Sequence, residues 1–269
     1  MIMPVHTVLR LTGALSFMLS AMIASASGSP VFAASERHEF SYTVQWSNFM
    51  LAESVAIWEF DDDRLEMSGR VTPKGSVGGW SDGFGEVVLT ARRTEAGWQA
   101  EQLDMKSREG DEIRQATSLW SEASDEVVTT RTPEPEAEIY HPITPDMQRN
   151  VTAPFLAMVD MLDRLDAGGS CDGSFQIYDG WRRSQLRFID KGRTVLKKDR
   201  PEGFSGEARI CQLEITPIGG HRIKSRLGRT KKSYDNVTAY VGRHKSGRLV
   251  PVRIEVDVML GRVIARLAM

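Results

Sequence analysis

Cysteine is almost missing from this 269-residue chain, where Cys171 and Cys211 are the whole complement. Two thiols without Cys-x-x-Cys spacing make no redox motif, and a structural zinc site needs about four Cys, His or carboxylate ligands. Histidine is scarce too: beyond the N-terminal segment only His38, His141, His221 and His244 occur, scattered without metal-ligand spacing. The sequence has no Gly-x-Ser-x-Gly elbow, no His-Glu-x-x-His and no phosphate-cradling loop. Glu202-Gly203-Phe204-Ser205-Gly206 reads as a turn, and Asp61-Asp62-Asp63 as solvated acids at a hairpin reversal. The expectation is a protein that is not an enzyme and carries no cofactor or metal. Basic excess is also lacking, with 34 Lys and Arg against 36 Asp and Glu. General nucleic-acid binding and broad attraction to anionic membranes need such an excess or a basic face, so neither is expected.

Long apolar runs are confined to the first residues. The chain opens MIMPVHTVLR, continues apolar over residues 11–26 and ends this segment with Ser29-Pro30-Val31-Phe32-Ala33-Ala34. Small residues at Val31 and Ala33 after helix-breaking Pro30 read as a secretory signal peptide, residues 1–33, cleaved after Ala33. The apolar run is shorter than the roughly 20 residues of a spanning helix, and no cysteine is there to carry a lipid. After cleavage the chain is expected to be periplasmic and not an integral membrane protein. Losing Arg10 and no acid moves the formal charge from −2 to −3. In an oxidising compartment an even pair of cysteines reads as a disulfide between Cys171 and Cys211, stabilising by about 3–4 kcal/mol in the chain-entropy model.

Along residues 34–269, expected to be one domain, the dominant period is two. Residues 38–47 put Phe40, Tyr42, Val44 and Trp46 on one side and Ser41, Thr43, Gln45 and Ser47 on the other. Similar segments recur at 53–60, 64–71, 85–92, 98–106, 114–120, 126–131, 174–188, 208–216, 237–243, 249–258 and 262–267. Turn residues separate them, among them Glu95-Ala96-Gly97, Glu109-Gly110-Asp111 and Lys245-Ser246-Gly247. This is an all-β pattern: an antiparallel meander that curls into an open barrel or β-spiral. One amphipathic helix near 153–167 interrupts it, capped by Thr152 and closed by Gly168-Gly169, with Phe155, Leu156, Val159, Leu162 and Leu165 as its apolar stripe. The helix is expected to plug one mouth or cover the concave face.

The stretch CDGSFQIYDGWRRSQLRF (171–188) looks at first like a site. Read as a hairpin with Asp179-Gly180 as a two-residue turn, it pairs Ile177 with Arg182 and puts Phe175, Ile177, Leu186 and Phe188 on one face. Tyr178, Trp181, Gln176 and Arg183 share the other, and Arg183 is expected to be solvated. Arg182 falls at the apolar side, where it needs a carboxylate, a carbonyl or a bound anion. Tyr178, Trp181 and Arg182 are the candidate ligand or rim contacts. A basic cluster of Arg222, Lys224, Arg226, Arg229, Lys231 and Lys232 reads as a solvated loop or a patch for lipid phosphates or an acidic polymer.

FSYTVQW with Ala52-Glu53, the helix start APFLAMVDML, the hairpin above, Cys211, Pro217-Ile218-Gly219-Gly220 and the ending RLVPVRIEVDVMLGRVIARL occur in an order that resembles a bacterial family known as domain of unknown function 3108. Ser47-Asn48-Phe49 stands where that family has a Gly-rich connection. The resemblance implies an antiparallel β architecture, similar to an open spiral or half-barrel, in the periplasm or outer envelope, and no established catalytic residues. The expected function is that of a noncatalytic cell-envelope protein, with a lipid or lipoprotein as candidate ligand in the curved sheet. The alternatives are an envelope scaffold that engages a protein partner without a pocket, and a periplasmic hydrolase.

Overall fold

The computed structural model describes residues 36–74, 84–109, 111–121, 125–223, 234–258 and 261–269. The proposed signal segment, Gly110 and the basic residues Lys224, Arg226, Arg229, Lys231 and Lys232 lie outside them. Thirteen strands form one antiparallel sheet among the described residues. They are β1 (Glu36–Trp46), β2 (Phe49–Phe60), β3 (Arg64–Pro73), β4 (Phe84–Thr94), β5 (Gly97–Glu109), β6 (Glu112–Trp120), β7 (Val127–Thr132), β8 (Gly173–Tyr178), β9 (Arg183–Leu196), β10 (Gly206–Gly219), β11 (Tyr234–Arg243), β12 (Leu249–Val258) and β13 (Gly261–Leu267). The single α-helix among the described residues, α1, spans Pro154–Asp166, and a 3-10 turn at Pro145–Gln148 precedes it.

The spatial order runs β7 to β1, then β13 back to β8. Two meanders therefore meet where β1 pairs with β13, Tyr42 facing Leu267. The period-two pattern holds through His38 and Phe40, both buried, and breaks at a bulge between Val44 and Gln45. Beyond it Gln45 turns into a buried position and its side-chain oxygen accepts a hydrogen bond from Arg266, 3.3 Å away. A bulge displaces one residue from the alternation, so a polar side chain that periodicity assigns to solvent reaches a buried position.

The helix forms because Pro154 fixes φ at the first helical position and the apolar residues recur at helical spacing. Leu156, Ala157, Val159, Met161 and Leu162 are its buried residues. They share one core with Phe40, Trp58, Leu65, Leu89, Leu103, Leu186 and Phe188 from the sheet. Thr152 does not cap the helix. Ala153 holds the N-cap position without a side-chain bond, because Thr152 is spent on β8: its N–H donates to the Gln176 carbonyl and its own carbonyl accepts from Tyr178 N–H. At the other end Gly168, at φ 85°, lets the chain reverse, and Gly169 N–H donates to the Arg164 carbonyl at 2.9 Å.

The sheet is not closed by a strand ladder, because β7 and β8 are its two ends. Residues 147–152 run between them. Arg149 bridges to Glu126 beside β7, and Thr152 bridges in parallel to Ile177 of β8. An irregular stretch thus serves as a stave, leading directly into α1.

Candidate functional site

The hairpin loop at 179–182 has four residues. Tyr178 pairs with Arg183 and Ile177 with Ser184, so the register is two residues away from the pairing read from the sequence. The cause is the Asp179 carboxylate: Oδ1 accepts the backbone N–H groups of Trp181 (2.9 Å) and Arg182 (2.6 Å), an Asx turn that holds the chain open beyond Asp-Gly. A slip of two preserves the faces, so Phe175, Leu186 and Phe188 still share one side. Arg182 lies in the loop, exposed, and its guanidinium meets Asp179 Oδ2 at 2.7–2.9 Å.

Tyr178 is fully buried although its face reads as polar. Its hydroxyl donates to the Gly180 carbonyl at 3.0 Å and accepts from Arg131 of β7. Arg131 Nε also donates to the Gly180 carbonyl, and Gln148 Nε2 lies 3.4 Å from the Tyr178 hydroxyl. Arg183, expected in solvent, instead donates through Nη1 to the carbonyls of Met147 (2.8 Å) and Arg149 (3.0 Å). The seam segment covers this face of the hairpin, and that is why its polar residues are withdrawn from water.

Trp181 closes the cluster on the other side. The Arg114 guanidinium lies 4.1 Å from its ring centre and 5.1 Å from that of Tyr140, and Arg222 stacks on Tyr140 at 5.2 Å. Gly220, at φ 72°, sits directly beneath the Trp181 carbonyl, whose oxygen a Cβ would overlap. A Cβ on Gly219 would come within 2.6 Å of Met147 Sδ. The Gly219-Gly220 pair is therefore the socket into which the hairpin loop and the seam segment fit. Arg114, Arg131, Tyr140 and Gln148 escape sequence reading because no local pattern ties them to residues 178–183.

One pair has the appearance of catalysis. Ser184 Oγ lies 2.9 Å from His221 Nε2, but the same nitrogen is 3.2 Å from the Arg183 carbonyl oxygen. A carbonyl only accepts, so Nε2 carries the hydrogen there and has no lone pair with which to take a serine proton. Burial, together with the charge of Arg182, holds the imidazole below its ordinary pKa. Ser184 itself is buried. Among the described residues no group of three or more His, Cys, Asp or Glu side chains could hold a metal ion.

At the far end of the hairpin Cys171 and Cys211 form the disulfide, with Cα atoms 6.1 Å apart. Asp190 organises its surroundings, accepting from Cys171 N–H at 3.1 Å and Arg209 Nε at 2.5 Å. Burial alone raises the Asp190 pKa, but the Gly192 and Cys171 N–H groups and Arg209 outweigh it and hold the carboxyl below its usual range. On the outside of the sheet the β9–β10 loop is pinned by Asp199 to Arg266 (2.8 Å) and Arg253 (3.7 Å), with Phe204 over Gly242. The cleft beneath that loop has a volume of about 10 Å³, room for a water molecule.

A curved, unclosed antiparallel sheet with an internal helix, held by a polar clasp, defines a β-barrel-like protein. The chain belongs to the family of proteins of unknown function DUF3108, which it matches over residues 41–268. Among solved structures it is similar to a β-barrel-like protein of domain of unknown function DUF1849 from Brucella abortus. The identity is 10%, the TM-score 0.49, and the match covers 87% of this chain and 95% of that one. No curated protein matches it.

Proposed function

We propose that this protein is an exported, noncatalytic component of the cell envelope that acts as a scaffold through its outer surface. The observation that carries this reading is the occupation of the sheet's hollow by α1. Burying a Leu, Val or Met side chain fully is worth about 1.5–3 kcal/mol. For Leu156, Val159, Met161 and Leu162 together that is roughly 6–12 kcal/mol, as much as the whole stability of a typical domain. Withdrawing the helix to admit an acyl chain would cost about what unfolding costs, so α1 is core and not a lid. A lipid or lipoprotein carrier working through an internal pocket is disfavoured by the same sum. The signal grammar of residues 1–33 and the Cys171–Cys211 disulfide support export. The polar environment of Ser184 and His221 supports a structural use of both.

Native mass spectrometry of the exported, oxidised protein tests the reading, combined with crosslinking in intact cells. The expected result is a protein free of lipid that crosslinks to an envelope protein. A stoichiometric co-purified lipid would return the carrier to first place.

A further inference from the structure

At the seam β8 is bonded to Thr152 through Gln176 and Tyr178, and β7 to Gln148 Nε2 through the Val127 carbonyl; β9 in turn is not covered along its whole length. The ladder of β8 reaches only Arg183–Phe188 of β9, whereas β10 accompanies β9 to Leu196. Asp190 N–H is taken by the Asp172 carboxylate at 2.9 Å. From Lys191 to Leu196, among the described residues, Gly192 N–H donates to Asp190 Oδ1 at 2.8 Å, and every other backbone hydrogen bond is made with β10. A bulge at Lys191-Gly192, with Gly192 at φ 90°, restores a regular register over Arg193–Leu196. In an antiparallel strand every second N–H and C=O points away from its single neighbour, so Arg193–Leu196 presents a row of unpaired backbone groups. Val195, 68% exposed, stands on it.

The unpaired charges on this stretch of chain have one sign, and on the neighbouring β10 the exposed Glu207 stands opposite Val195. Lys191, Arg193, Lys197, Lys198 and Arg200 fall within ten residues, and among the described residues none has an ion-pair partner. The two acids of the stretch are already engaged, Asp190 by Arg209 and Asp199 by Arg253 and Arg266. Cations on an edge discourage a second copy from pairing there, because antiparallel self-pairing would oppose like charges. The same cations favour a strand of opposite sign.

We propose that the bare half of β9, Lys191–Leu196, is a strand-addition site for an acidic, extended polypeptide segment of a partner protein. Main-chain bonds to the free edge provide the attachment, and carboxylates set beside Arg193, Lys191 and Lys197 provide the selection. This rests on the surface-scaffold reading and names the chemistry of the partner.

The probe is a fluorescent octapeptide of alternating Glu and Val, titrated against the exported, oxidised protein by anisotropy, with amide hydrogen exchange to locate it. The expected result is saturable binding with new protection confined to Lys191–Leu196. Reversing Lys191, Arg193 and Lys197 to Glu should weaken binding about tenfold, from three partly exposed pairs of up to about 0.5 kcal/mol each. These side chains are exposed and unpaired, so the triple variant should keep its near-ultraviolet circular dichroism. Equal affinity for an alternating Lys-Val peptide, protection elsewhere, or no saturation would overturn the proposal. So would edge protection that grows with protein concentration in the absence of peptide, which marks a second copy. Binding to phosphatidylglycerol vesicles that the triple reversal abolishes would assign the cations to lipid instead. Photo-crosslinkers at Val195 and at Val128, 64% exposed on β7, separate the two levels. A protein partner captured at Val128 alone removes the β9 site and leaves the scaffold, and capture at neither position removes both.

Discussion

Replacing Asp160 by Asn should stabilise the protein at pH 7.5 and have no effect at pH 4 or below. Asp160 is half-buried on α1, and its carboxyl accepts from the backbone N–H of Trp98 in the β4–β5 hairpin. Burial lifts its pKa from 3.8 to about 6, with Asp163 adding in the same direction, while the Trp98 N–H, Arg164 and Arg93 oppose the rise. A rise of about two units corresponds to at most about 3 kcal/mol. Because the group is only partly shielded, solvent screening reduces this to about 1–2 kcal/mol. The unfolded carboxyl titrates near its ordinary value, so the folded protein holds the proton more tightly. The cost of the native carboxylate is complete above about pH 6, shrinks as the pH falls through the window, and is gone below 3.8. Asn keeps an acceptor for Trp98 N–H and carries no charge. Guanidinium unfolding of wild type and Asp160→Asn at pH 7.5, 5 and 4 should show a gain of about 1–2 kcal/mol that declines to zero. A variant less stable at pH 7.5, or a difference independent of pH, would refute the assignment of burial as the dominant cause.

Replacing Cys171 and Cys211 by Ser should cost about 4 kcal/mol for a loop of 40 residues in the chain-entropy model, read as a lower guanidinium midpoint under non-reducing conditions. Gly220→Ala should cost more than about 3 kcal/mol or prevent accumulation of soluble protein, since it combines a positive φ with a clash against backbone. Gly168→Ala, with a similar φ and open space around it, should cost only about 1–2 kcal/mol, thermal melts of the two variants giving the comparison. Tyr178→Phe should lower stability by about 1–3 kcal/mol by leaving Arg131 and the Gly180 carbonyl short of a buried partner, measured by urea unfolding.

Most of the strands were legible because one face of each packs on the core and the other meets water, which writes a period of two into the sequence. The extension of β9 to Leu196 was not, because Lys191-Gly192-Arg193 interrupts that alternation with a bulge and an edge that wants charge. The hairpin at 171–188 was read with its faces correct and its loop too short. Asp-Gly alone suggests a two-residue reversal, and only the carboxylate bonds to Trp181 and Arg182 reveal the wider Asx turn. Arg183 departs from its expected place in solvent, and Tyr178 from a rim position, for a nonlocal reason. The segment that covers them comes from residues 147–149, some 30 positions upstream, and nothing in the hairpin announces it. Of the candidate basic patch only Arg222 falls within the described residues, where it stacks on Tyr140.

The junction of β1 with β13 also sets the order of assembly. Strands β1–β7 and β8–β13 are each stitched by neighbour-to-neighbour hairpins, which form quickly, but Tyr42 finds Leu267 only after nearly all the chain has emerged. Until then the central strand offers a raw margin to whatever is nearby. A chain delivered through a narrow channel from its N-terminus would spend that interval half-built, and a truncation ahead of Gly261 would make the interval permanent.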